Sequence, residues 1–230
     1  MATTTQATAE PRRSARVRLL DAAGELFYNE GVLSVGIDRI IEHAGVAKAS
    51  LYNAFGSKEE LVQAYLTARH ADTIQRLTAA IEKHTDPRSR LLAVFDAQAE
   101  LAAQPNFRGC AFISASAEAP PGGLIEQAAD DYRAEIRALF TKLAAQAGAP
   151  APGVLARQLH LIYDGAGISA RMDRDPTAPV GARAAAASLL DTALRPNDQR
   201  AGSASRTVCR PNAGTSSETK PAPKTEDQPR

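Results

Sequence analysis

Gly45-Val-Ala-Lys-Ala-Ser-Leu-Tyr-Asn-Ala-Phe-Gly-Ser-Lys-Glu-Glu-Leu61 is the stretch from which the fold of this chain is read. Its middle, from about Lys48 to Ala54, suits a short helix with Val46, Leu51 and Phe55 turned inward. Lys48, Ala49, Ser50, Tyr52 and Asn53, all short or polar-tipped, are left on the outer face. Just upstream, Ala44-Gly45-Val46 breaks another short helix, whose Ile37, Ile40 and Ile41 share one face and which Ser34 can cap. Two short helices joined by a three- or four-residue turn containing Gly form a helix-turn-helix pattern, because Gly lets the backbone swing the second helix across the first. Downstream, Ser57-Lys58-Glu59-Glu60 has the S-x-x-E spacing of a capping box and opens a longer helix.

Working outward, residues 1–13 lack an apolar period, and Arg12, Arg13, Arg16 and Arg18 lead into a helical pattern, which predicts a flexible basic arm over 1–13. Leu19, Ala23, Leu26 and Phe27 follow i, i+4, i+7, i+8 spacing, and Asn29-Glu30-Gly31 stops the helix, placing it at about 12–29. Beyond Leu61 the periodicity predicts helices at about 57–83, 87–103, 109–118, 123–147, 152–172 and 178–194, separated by Pro- and Gly-containing breaks. Ile125, Ala129, Tyr132, Ile136, Leu139, Phe140 and Leu143 make the clearest amphipathic stripe. The expected fold class is therefore all-α. A three-helix helix-turn-helix domain occupies 14–60, a larger helical domain 61–195, and a disordered tail rich in Pro, Ser and Thr 196–230.

Composition narrows the function. The chain has 230 residues, 44% of them apolar but only 5% aromatic and none Trp, so Ala, Leu, Val and Ile must fill the core. Net charge is +1, and residues 1–70 balance Lys and Arg against Asp and Glu, so bulk charge does not advertise a nucleic-acid binder. Met1 is followed by a polar stretch, and nowhere is there the roughly 18-residue apolar run of a membrane span, which predicts a cytoplasmic protein with no membrane partner. Cys110 and Cys209 do not suggest a disulfide framework. His43, His70, His84 and His160 have no metal-ligand spacing, so neither metal nor cofactor is expected. With no nucleophile motif and no Gly-rich phosphate loop, an enzyme is not expected.

The outer face of the Lys48–Ala54 helix has the chemistry to read DNA. Asn53 suits an adenine edge, Ser50 a base or phosphate, and Ala49 a thymine methyl, with Lys48 and Tyr52 placed for phosphates or the groove edge. Lys58 stands at the start of the next helix, where free N–H groups and the helix dipole already favour a phosphate. Arg12, Arg13 and Arg16 can reach neighbouring phosphates.

Residues 45–61 resemble the DNA-binding signature of the TetR family, and the match extends back through Ala22–Gly31 and Ile37–Ala44 to cover about residues 15–66. The resemblance implies DNA contacts at Tyr52 and Lys58. It also implies a helical ligand-binding and dimerisation domain whose last two helices, about 152–172 and 178–194, pair with those of a second copy. Gly165, Ala166, Gly167 and Ala170, with Ala184 to Ala187, suit close helix approach there. The expected function is that of a homodimeric repressor, released from a pseudo-palindromic double-stranded operator by a small-molecule effector. One departure is Ala47, where the family usually has Ser or Thr as a helix cap. Phe107-Arg108-Gly109-Cys110-Ala111-Phe112-Ile113 is similar to a Gly-Cys stretch at the start of a pocket-lining helix in one branch of the family. Pocket candidates, chosen as apolar surfaces with a few polar groups, are Phe95, Cys110, Ile113, Tyr132, Ile136, His160 and Tyr163. The rival reading is a helical protein-interaction module that has lost DNA binding, supported by the neutral N-terminal charge and Ala47.

Overall fold

A computed structural model describes residues 13–195; the expected tail and all but the last residue of the expected arm lie outside the described residues. Described residues form nine helices and no strand: α1 (Ala15–Glu30), α2 (Ile37–Ala44), α3 (Lys48–Phe55), α4 (Lys58–Glu82), α5 (Pro87–Ala102), α6 (Ala111–Glu118), α7 (Leu124–Gln146), α8 (Pro152–Met172) and α9 (Ala178–Leu194). No helix among them is long and apolar enough to cross a membrane.

Local chemistry fixes the ends. The Ser14 hydroxyl accepts from the Val17 N–H, Ser57 from Glu60 and Asp86 from Ser89, each occupying a free donor in the first turn of its helix. Pro87 and Pro152 occupy first-turn positions where a missing N–H costs nothing. Of the capping box, the Ser57 half is formed, while the Glu60 carboxylate lies against Gly56. Ser34 does not cap α2. Val35 is buried completely and pulls the chain inward, so the N-cap falls two residues beyond Ser34, at Gly36, with no side-chain bond, and the helix starts at Ile37.

Helices α1, α2 and α3 pack around Leu19, Ala23, Ile40 and Leu51, all withdrawn from solvent, and α1 also rests on α4. Further along the chain α5 is the central helix, packed against α4, α7, α8 and α9. It buries residues all around its circumference, including Leu91, Leu92, Val94, Phe95 and Gln98, as a helix enclosed on every side must. The predicted stripe on α7 faces this core, with Leu139 only half-buried.

Candidate nucleic-acid interface and cavity

The turn between α2 and α3 is closed by Gly45 in the left-handed conformation (φ 62°), with the Val46 N–H returning to the Ile41 carbonyl. A side chain at 45 would be strained there, which is why the turn needs Gly. Leu51 and Phe55 anchor α3 to the core. Lys48, Ala49, Tyr52 and Asn53 are exposed, Ser50 is half-buried, and Tyr52 leaves 45% of its surface in water. An aromatic ring so placed does not stabilise the core, whereas its neighbour Phe55 does. Ala47 stands at the N-cap of α3 with no side-chain bond, leaving the first turn to be closed by the Ser50 N–H on the Ala47 carbonyl.

Several cations read as phosphate contacts are already engaged within the protein. The Arg16 guanidinium donates to the Ala54 carbonyl and lies 4.2 Å from the Phe55 ring centroid, so it ties α1 to the end of α3. Arg18 donates to the Gly45 carbonyl at 3.1 Å and Arg13 pairs with Asp21. Lys48 pairs with Asp38 at 3.0 Å, and that hydrogen bond raises its pKa. The pair is solvent-exposed, where water and salt screen it, so a phosphate can displace it. The Lys58 ammonium donates to the Leu33 carbonyl at 3.3 Å. Burial pulls its pKa down, and the nearby Glu118 carboxylate partly opposes this.

A cavity of about 80 Å³ lies among α4, α5, α6, α7 and α8 and reaches Tyr28 at the end of α1. Of the pocket candidates, Cys110, Ile113, Tyr132 and Tyr163 line it. Phe95, Ile136 and His160 do not: they pack behind the wall as buried core, Phe95 meeting Tyr163 edge-on at 6.1 Å. Burial pushes Tyr163 up to about 12 and raises the Cys110 thiol, so Cys110, at the N-cap of α6, is kept protonated rather than reactive.

Four polar residues on this wall were missed by sequence reasoning: Arg69, Asp72, Thr73 and Arg76, all on α4. Their i, i+3, i+4, i+7 spacing was the available signal, a polar stripe on a helix packed on several sides. Gln98, Phe107 and Phe112 also line the cavity. Gly167, read from sequence as a dimer contact, instead faces inward beside the Gln98 amide, and Ala166 and Ala170 are buried too.

The cavity wall and the helix-turn-helix share structural members. Helix α4 runs from Lys58 to the cavity residues, and α6 starts at the cavity and ends at Glu118, whose carboxylate accepts the Leu33 N–H. The Tyr28 hydroxyl on α1 accepts the Arg108 N–H at 2.9 Å and donates to the Gly109 carbonyl at 3.1 Å.

An exposed, polar-faced second helix on a Gly turn, backed by a larger helical body with an internal cavity, defines a DNA-binding transcription regulator. Residues 19–65 match the model for bacterial regulatory proteins of the tetR family. A TetR-family transcriptional regulator from Streptomyces coelicolor is 32% identical, with a TM-score of 0.75 over 79% of this chain and 96% of that one. A TetR transcriptional regulator from Streptomyces avermitilis is 34% identical, with a TM-score of 0.70 over 79% and 98%. Curated relatives match over a shorter span. The transcriptional activator FasR of Mycolicibacterium smegmatis is 42% identical over 88 residues, 38% of this chain and 40% of that protein. The regulator TtgR of Pseudomonas putida is 37% identical over 95 residues, 39% and 45% respectively. The matches thus span less than half the length of these curated relatives. The chain belongs to the TetR family of transcriptional regulators, and is not an enzyme.

Proposed function

We propose that this protein is a homodimeric repressor that leaves a pseudo-palindromic operator when a small molecule enters the cavity among α4 to α8. The observation that carries this reading is the shared framework of α4 and α6: α4 starts beside the helix-turn-helix and lines the cavity with its middle turns, and α6 starts at the cavity and ends on the turn before α2. A ligand that moves either helix shifts α3, and in a two-fold dimer this mismatches the two half-sites. A coupling of about 1–3 kcal/mol corresponds to a 5- to 150-fold change in operator affinity. Repression needs nothing beyond occupancy and release, whereas activation needs a further contact with the transcription machinery. The name of FasR favours activation as the second reading.

In this reading Asn53, Ser50 and Ala49 read base edges, Tyr52 and Lys48 meet the groove edge, and Lys58 binds a phosphate. Arg16 positions α3 from behind. The dimer face is supplied by Leu161, Gly165, Ile168 and Met172, an i, i+4, i+7, i+11 stripe along α8, and by the exposed Val180, Gly181, Ala184 and Ala185 of α9. The folded domains are then a helix-turn-helix module over 14–60 and a ligand-binding and dimerisation module over 61–195, in the cytoplasm.

A fluorescence-anisotropy titration against the intergenic DNA upstream of the protein's own gene tests this, followed by a reporter fused to that promoter. Tyr52→Ala should lose at least tenfold in specific affinity at unchanged thermal stability. Lys58→Ala should reduce the slope of log affinity against log salt by about 0.9. A reporter that rises when the regulator gene is deleted supports repression, and one that falls supports activation. Unchanged binding in both variants would move the DNA contact off Tyr52 and Lys58, and no specific binding by the wild type, there or in a genome-wide DNA selection, would turn the reading to the interaction module.

A further inference from the structure

Gln98 is 7% exposed and sits on the cavity wall at the centre of the helical body. Its Nε2 donates to the Tyr163 carbonyl at 2.8 Å. A carbonyl only accepts, so the amide nitrogen must be the atom facing it. That fixes Oε1 as the other atom, and Oε1 is buried with no donor among the described residues. The contact is closely fitted: a Cβ added at Gly167 would stand 3.3 Å from Nε2, so Gly167 leaves the amide the room it occupies.

Arg76, also on the wall, presents the opposite need. Its Nη2 reaches Thr73 Oγ1 at 3.5 Å, and its Nε is buried without an acceptor. Arg69, a third wall residue, lies 4.2 Å from the ring centroid of Tyr28 and 5.6 Å from that of Tyr65. Neither guanidinium forms an ion pair among the described residues. The wall's two carboxylates do not change this balance: Asp164 is paired with Arg133 at 2.8 Å, and Asp72 is exposed. The cavity therefore holds uncompensated positive charge beside one buried acceptor.

The remaining wall is largely aromatic and flat, with Phe112 and Tyr132 stacked at 3.9 Å and 3° and Tyr28, Phe107 and Tyr163 nearby. At about 80 Å³ the space is far smaller than the roughly 300–1,000 Å³ that holds a drug-sized ligand.

We infer that the effector is a small monocyclic aromatic acid bearing a hydroxyl or amine donor. Its carboxylate pairs with Arg76 and Arg69, its donor bonds Gln98 Oε1, and its ring lies among the aromatic walls. This rests on reading the cavity as the effector site. A guanidinium meeting a carboxylate out of water is among the stronger pairings available to a protein, and a buried acceptor left bare discriminates sharply for a donor.

The test is calorimetric titration of the full chain with 4-hydroxybenzoate, its methyl ester and 4-methoxybenzoate. The acid should bind at least tenfold more tightly than either analogue. Arg76→Gln should abolish the preference over the ester and keep the preference over the methoxy compound. Gln98→Leu should do the reverse, a crossed pattern that partial unfolding does not produce, and thermal melts establish that both variants fold. Equal binding of acid and ester, or no binding of any of the three, overturns the inference; in either case operator binding measured separately leaves the regulator standing. Tight binding of the acid without operator release supports the ligand class and removes the release mechanism instead.

Discussion

The Glu118 carboxylate, at the last residue of α6, accepts the Leu33 backbone N–H at 2.8 Å, so the helix that begins at the cavity ends on the turn leading into α2. The approach is close: Gly31, at φ 99°, has the same carboxylate where a Cβ would stand. Glu118→Ala should free the Leu33 amide, and hydrogen exchange read by NMR should show at least tenfold less protection there, with α4 amides unchanged. Identical exchange in the two proteins would mean that α6 does not hold the turn.

Ala47 begins α3 in extended geometry, φ −74° and ψ 150°, the backbone a capping residue adopts. Ala47→Ser therefore supplies the missing acceptor without strain and should stabilise the fold by about 1 kcal/mol. For a domain of this size that raises the melting temperature by roughly 2–4 °C. A calorimetric scan showing no rise would mean that the α3 terminus is already satisfied by other means.

The helix-turn-helix was legible because its signals are local: Gly45 for the turn, Ser57 for the cap, Leu51 and Phe55 for the inner face all lie within one short stretch. The cavity was legible only in part. Cys110, Ile113, Tyr132 and Tyr163 fit the rule that pockets gather aromatic and apolar surface. The same rule drew in Phe95, Ile136 and His160, because in sequence a core residue and a wall residue look alike. What separates them is which helices meet, and that depends on packing between residues far apart in the chain. Tyr28 shows this most clearly. It follows Phe27, which turns inward to meet Tyr65 edge-on at 5.6 Å, and the rotation of one residue along α1 directs Tyr28 to the Arg108–Gly109 backbone some 80 positions away.

His160 is enclosed behind the cavity, its Nε2 3.5 Å from Asp164. Burial lowers its pKa, Asp164 opposes this, and Arg133 and Arg137 add to the lowering. The folded state thus binds its proton less readily than the unfolded state, whose histidine titrates near about 6.5. Stability from this group is complete above that value and is lost as pH falls through the lower folded value. Urea unfolding at pH 7.5 and pH 5 should show a larger loss in the wild type than in His160→Gln. An equal loss in the two proteins would mean that His160 does not carry this pH dependence.

The exposed stripe on α8 sets the last expectation. Leu161 is 70% exposed, and Ile168 and Met172 continue its row, an arrangement of large apolar side chains that gains nothing while it faces water. The buried row of the same helix, Leu159, Tyr163, Ala166 and Ala170, already packs inside the subunit. The two rows therefore separate fold from assembly. Leu161→Glu should leave helicity intact, since the side chain touches little within its own subunit, and exposed sites of this kind usually change stability by under about 0.5 kcal/mol. Two such charges brought together across a two-fold axis would repel in a desolvated interface. In sedimentation velocity at micromolar concentration the wild type should run as a dimer and Leu161→Glu as a monomer. The monomer presents one recognition helix to one half-site and should lose operator affinity by orders of magnitude. A variant that remains dimeric would move the interface off this face of α8.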